Sequence, residues 1–98
     1  MKVWAEYLSY SVSKAGLIAL TQGLAKALAP AVQVNAIAPG AVLLPEDTSP
    51  EDRDRALRRI PLGRLGSPED IVRAAVYLLE SDFVTGEVLS VDGGQRLI

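Results

Sequence analysis

Val32-Gln33-Val34-Asn35-Ala36-Ile37-Ala38-Pro39-Gly40 is the stretch that decides the fold class. From Val32 to Ala38 it is apolar nearly throughout, as short strands buried on both faces tend to be. Pro39-Gly40 stops the strand and opens a loop. A helical pattern leads straight into it over residues 11–29. There Leu17, Leu20, Leu24 and Leu28 make one apolar stripe at three- and four-residue spacing. Ala15, Ala19, Gly23 and Ala27 make a second stripe, all small, at i,i+4 spacing. A helix apolar on two faces needs cover on both, and the small stripe would let another helix approach closely along its ridge. Pro30 ends the pattern, because it cannot continue the hydrogen-bond ladder.

Downstream, Ser-Pro-Glu-Asp occurs twice, at 49–52 and 67–70. Serine as N-cap, proline at the first helical position and acids in the first turn all favour a helix start. The first copy opens a short charged helix, roughly 50–59. The second opens one of roughly 68–80, with Ile71, Ala75, Leu78 and Leu79 expected inward and Val72 and Val76 beside them. Glu87 to Val91 is a second strand, ended by Asp92-Gly93-Gly94. The order helix, strand, helix, helix, strand points to an α/β fold with a parallel pair. Two strands are too few to cover three helices, so the apolar surface exceeds what this chain buries alone.

Composition narrows the chemistry. The 98 residues are 49% hydrophobic and 22% charged, a globular balance for one small domain. Net charge is −2 and the ten basic residues are scattered, which argues against a nucleic-acid partner. Cysteine and histidine are both absent, so there is no disulfide framework, no thiol nucleophile and no expected metal site. Acid–base work falls to Tyr, Lys, Asp or Glu. The apolar run Ala15 to Leu20 is too short for a signal peptide, and no stretch approaches a membrane span. A soluble, cytoplasmic protein with no membrane partner is the expectation.

Tyr10 and Lys14 are four apart at the start of the long helical pattern, so their side chains share a face. A phenol beside an ammonium loses its proton more readily than an isolated one, whose pKa is about 10. Such a pair suits protonation of an alkoxide formed from a carbonyl, or the reverse. Tyr-x-x-x-Lys taken alone also describes an ordinary tyrosine beside a solvated lysine.

The context favours chemistry. Tyr10-Ser11-Val12-Ser13-Lys14-Ala15 resembles the catalytic segment of the short-chain dehydrogenase/reductase family. Val34-Asn35 through Pro39-Gly40 looks like that family's Val-Asn-x-x-x-Pro-Gly turn. Pro61-Leu62-Gly63-Arg64, leading to Ser67-Pro68-Glu69-Asp70-Ile71, is similar to its entry into the penultimate helix. Val84-Thr85-Gly86 and Val91-Asp92-Gly93-Gly94 match its closing motifs. The resemblance runs from about Tyr10 to Gly94. It implies that residues 1–98 are a single partial domain: the C-terminal portion of a Rossmann-like doubly wound parallel sheet, lacking the N-terminal cofactor-binding strands.

The resemblance also implies a reaction, hydride transfer between NAD(P)(H) and a carbonyl or alcohol carbon. Tyr10 would be the general acid/base. Lys14 would assist it and hydrogen-bond the nicotinamide ribose, so Tyr10 and Lys14 serve cofactor binding as well. Pro39, Gly40, Ala41 and Val42 would lie beside the nicotinamide. The segment from roughly Leu43 to Gly66 would cover the substrate, while Asp92, Gly93 and Gly94 would shape a turn. Homo-oligomers would form through helix 11–29 and the last helix and strand.

Two departures stand out. Where many members carry a threonine four residues after the Gly of Pro-Gly, this chain has Leu44 followed by Pro45. Some members resembling pteridine reductases depart there too. The family's glycine-rich phosphate loop, Asn-Asn-Ala-Gly segment and catalytic serine lie upstream of the tyrosine, yet nine residues precede Tyr10 and no Gly-x-x-x-Gly-x-Gly occurs. The expectation is therefore a C-terminal half that is inactive alone, needs a partner chain carrying the N-terminal half, or serves as a non-catalytic oligomerisation module.

Overall fold

The computed structural model describes the backbone of residues 2–98 and the side chains of Ala5 and of residues 8–98. Helix α1 spans Lys2–Leu28, strand β1 Ala36–Pro39, helix α2 Pro50–Arg58, helix α3 Pro68–Glu80 and strand β2 Val88–Val91. A 3-10 turn, Gln95–Leu97, follows β2. The strands pair as one two-stranded sheet. Ala36 N–H donates to Glu87 C=O at 2.9 Å and Gly40 N–H to Val91 C=O at 3.0 Å. That constant offset makes the pair parallel, and α2 and α3 provide the long crossover that parallel strands require. The expected element order and α/β class hold.

The chain forms two compact units, residues 1–36 with 81–88, and residues 37–80 with 89–98. In the first, α1 begins well before residue 11, since nothing from Lys2 to Ser9 is a proline or glycine that would interrupt it. Tyr10 and Lys14 consequently sit inside the helix rather than at its start. The packed line of α1 runs through Thr21 and Ala25, each 4% exposed, and lies between the two stripes. The Thr21 hydroxyl donates back to Leu17 C=O at 2.7 Å, which satisfies it without a partner from elsewhere. Leu20, Leu24 and Leu28 remain exposed, as do Ala15, Ala19, Gly23 and Ala27.

Strand β1 starts four residues later than Val32, and side chains explain why. Thr85 Oγ1 accepts the Val34 N–H at 3.1 Å, and Asn35 Oδ1 accepts the Glu87 N–H at 3.0 Å. Asn35 Nδ2 and Gln33 Nε2 donate to Val84 C=O at 3.0 and 2.8 Å. Gly86 N–H reaches Val34 C=O at 2.7 Å. Residues 33–35 thus run beside 84–87, but polar side chains intercept much of what would otherwise be ladder bonding.

In the second unit, both Ser-Pro-Glu-Asp segments open helices. Ser49 Oγ accepts the Asp52 N–H at 3.1 Å. Ser67 and Asp70 cap reciprocally: Asp70 N–H donates to Ser67 Oγ at 3.4 Å and Ser67 N–H to Asp70 Oδ2 at 2.8 Å. Ala74 is the buried residue of α3, flanked by half-buried Ile71, Ala75 and Leu78. Leu79, expected inward, is 85% exposed. One residue past Leu78 turns it about 100° around the helix, onto the outer line of Val72 and Val76. Among the described residues only Ala25, Ile60, Ala74 and Thr21 are buried. Much of the apolar surface stays uncovered within this chain, as its size led one to expect.

Candidate active site

Tyr10 and Lys14 lie on successive turns of α1, in the first unit. The Tyr10 side chain is 60% exposed, and Lys14 is half-buried. Pro39, Gly40, Ala41 and Val42 lie at the C-terminal end of β1, in the second unit. That is the end of a parallel sheet where ligands of open α/β folds gather.

The turn Pro39–Val42 is held from several directions. Gly40 N–H is bonded to Val91 C=O, and Ala41 C=O accepts the Gly66 N–H at 2.9 Å. Ala41 N–H donates to Gln95 Oε1 at 3.1 Å. A β-carbon on Gly40 would come within 2.7 Å of both Cα and Cβ of Asp92, so nothing larger than glycine fits.

The Asp92 carboxylate accepts the N–H groups of Gly94 and Arg96 at 3.0 and 3.1 Å and the Arg96 guanidinium at 2.8 Å. Burial pushes its pKa up, but these donors outweigh burial and hold it below the ordinary carboxylate range. Gly93 and Gly94 both adopt positive φ, 61° and 91°, so the turn is one that glycine favours. Asp92, Gly93 and Gly94 therefore build a turn. Gly93 C=O also accepts the Leu62 N–H at 3.0 Å, tying that turn to the Pro61–Gly66 loop.

Arg64 forks onto Asp70 at 3.0 and 3.3 Å, and its guanidinium also donates to Leu65 C=O. The Arg64 bond and the Ser67 N–H keep Asp70 well below its usual pKa, and the same pairing raises Arg64. An open concavity of 340 Å³ is lined by Ala41, Val42, Arg64, Asp70, Asp92 and Arg96, among others. Both of its arginines already meet carboxylates, so its cations are neutralised where a phosphate would need them. The donors lining this concavity therefore do not suit a pyrophosphate. A glutamine beyond a glycine pair carries no sequence signal of the contact that Gln95 makes with Ala41.

Residues 1–96 match the family model described as enoyl-(acyl carrier protein) reductase. The 3-oxoacyl-(acyl-carrier-protein) reductase FabG of Thermotoga maritima is 45% identical over 91 residues, covering 88% of this chain and 37% of that protein. The FolM alternative dihydrofolate reductase 1 of Brucella canis, solved with NADP, superposes with a TM-score of 0.79 at 42% identity. It matches 92% of this chain and 36% of its own. A short chain dehydrogenase from Leptospira borgpetersenii with bound NAD+ gives 0.76 at 37% identity, over 88% of this chain and 34% of its own.

The chain belongs to the short-chain dehydrogenase/reductase family. It spans less than two fifths of the length of the curated relatives it matches. The family's motifs acquire physical meaning here. Asn35 and Thr85-Gly86 stitch together the approach to the parallel pair, Pro39-Gly40 is the turn packed on Asp92, and Arg64 anchors the start of α3. Leu44, where many members carry threonine, is half-buried in the second unit. Among the described residues no helix is long and apolar enough to cross a membrane.

Proposed function

We propose that this chain is the proton-handling and substrate-covering half of an NAD(P)(H)-dependent oxidoreductase that interconverts a carbonyl and an alcohol. The observation that carries the reading is an exposed Tyr10 phenol one helical turn from Lys14, within a chain of this family. The dinucleotide, when bound, supplies or accepts the hydride. Tyr10 Oη gives its proton to the substrate oxygen as the carbonyl is reduced and takes it back in the oxidation. Lys14 holds the phenolate by charge and bonds the nicotinamide ribose. Pro39, Gly40, Ala41 and Val42 flank the nicotinamide, and residues 43–66 cover the substrate. Leu44-Pro45 and the likeness to FolM support a pteridine-reductase-like substrate class.

Alone, the chain binds dinucleotide too weakly to turn over, because the arginines of its open concavity already meet carboxylates and nothing else among the described residues is arranged to grip a pyrophosphate. A fluorescence titration with NADPH and NADH tests this, and no saturable binding is expected. Adding a chain that carries the family's N-terminal half should restore carbonyl reduction, and Tyr10→Phe should abolish it. Restored turnover that survives Tyr10→Phe overturns the assignment.

A second reading is a cytoplasmic, non-catalytic module that assembles with copies of itself. The exposed leucine and small-residue stripes of α1, and Val72, Val76 and Leu79 on α3, support it. Self-association would cover apolar surface that one copy leaves wet.

A further inference from the structure

We propose that Gln95 is a positioning residue for the Pro39–Val42 turn, setting the backbone against which the nicotinamide lies. The proposal rests on the oxidoreductase reading for that last clause alone. Ala41 N–H can only donate, so the group 3.1 Å from it must be the carboxamide oxygen, and the orientation of the Gln95 amide follows.

The oxygen occupies space that exists because residue 40 is glycine. A β-carbon there would stand 2.9 Å from Gln95 Oε1, as well as against Asp92. Pro39-Gly40 and Gln95 are therefore complementary parts of one contact. Gln95 is itself fixed. Its N–H donates to Asp92 C=O at 3.0 Å, and Asp92 pins the backbone on either side of it through the Gly94 and Arg96 N–H groups. Gly93 and Gly94 complete the turn at positive φ, a conformation other residues rarely adopt.

On its other side Ala41 is held by a backbone bond, its C=O to the Gly66 N–H. Gln95 is thus the side chain through which substitution can loosen this turn without cutting the main-chain ladder. Ala41 lines the open concavity, so without the glutamine oxygen its N–H would turn to solvent.

Residue-resolved amide hydrogen exchange on the chain tests this. Gln95→Met keeps the side-chain length and removes the acceptor. It should speed exchange at Ala41 about tenfold, the equivalent of one ordinary hydrogen bond, while Leu62 and Ala36 keep their protection. Gln95→Glu, which retains an oxygen acceptor, should restore Ala41. Unchanged Ala41 exchange in Gln95→Met overturns the proposal. So does acceleration shared equally by Leu62 and Ala36, which would make Gln95 a general structural residue, and so does failure of Gln95→Glu to restore. These readings use no dinucleotide, whereas the oxidoreductase reading stands on turnover with an added N-terminal half, so either can fail without the other.

Discussion

Gly40 and Asp92 approach so closely that a β-carbon on the glycine would lie 2.7 Å from both Cα and Cβ of the aspartate. The contact joins the end of β1 to the turn after β2. It has direct consequences for substitution.

Gly40→Ala should destabilise the fold by about 1–3 kcal/mol, the usual cost of forcing a carbon into occupied space. Asp92 Cα is backbone and cannot swing aside. A urea midpoint lowered with unchanged slope is the expected result.

Gly23→Ala should act in the opposite direction. Gly23 lies inside α1, and nothing stands within 4 Å of the position its β-carbon would take. Alanine there should add about 0.5–1 kcal/mol through helix propensity and a less free unfolded chain. A fall in melting temperature would instead mean that a second chain packs against this stripe.

Stability should decline in acid because of Asp70 and Asp92. Both carboxylates are held below the ordinary range in the folded chain, so their contribution is complete above the unfolded value of about 3.9. It is lost as pH falls through the lower folded values. Denaturation curves between neutral pH and strong acid should show this loss, and Asp70→Asn should show less of it. Added salt should weaken the Arg64 share, since that guanidinium side chain is 63% exposed.

Tyr10→Phe should leave folding within about 0.5 kcal/mol, because the exposed side chain loses a hydroxyl and little packing. In the enzyme reconstituted with an N-terminal half it should lower kcat/KM by about 10²–10⁴-fold. Circular dichroism melting and steady-state kinetics separate the two effects.

The purified chain should be oligomeric by light scattering, and Leu20→Glu with Leu24→Glu should drive it toward monomer. Leu20 is 60% and Leu24 41% exposed in the single chain, so charge there costs little unless another chain covers them. A well-folded wild-type monomer would count against self-association.

The order of residues was enough for what short-range chemistry controls. Ser49 and Ser67 announced the starts of α2 and α3, since a serine oxygen three residues before an unpaired N–H needs no distant partner. Pro39-Gly40 and Asp92-Gly93-Gly94 marked the strand ends, and the Tyr10–Lys14 spacing placed both residues on one helix face. Contacts far apart in sequence had to come from folding. Side chains such as Asn35 and Thr85 shortened β1, because they reach backbone groups about fifty residues away. Leu79 turned outward because one residue of helical rotation separates it from the packed line of Ile71, Ala74 and Leu78. The pairing of Gln95 with Ala41 and of Gly40 with Asp92 is invisible in either local segment. Such contacts depend on where two parallel strands end relative to each other, a distance that local patterning does not encode.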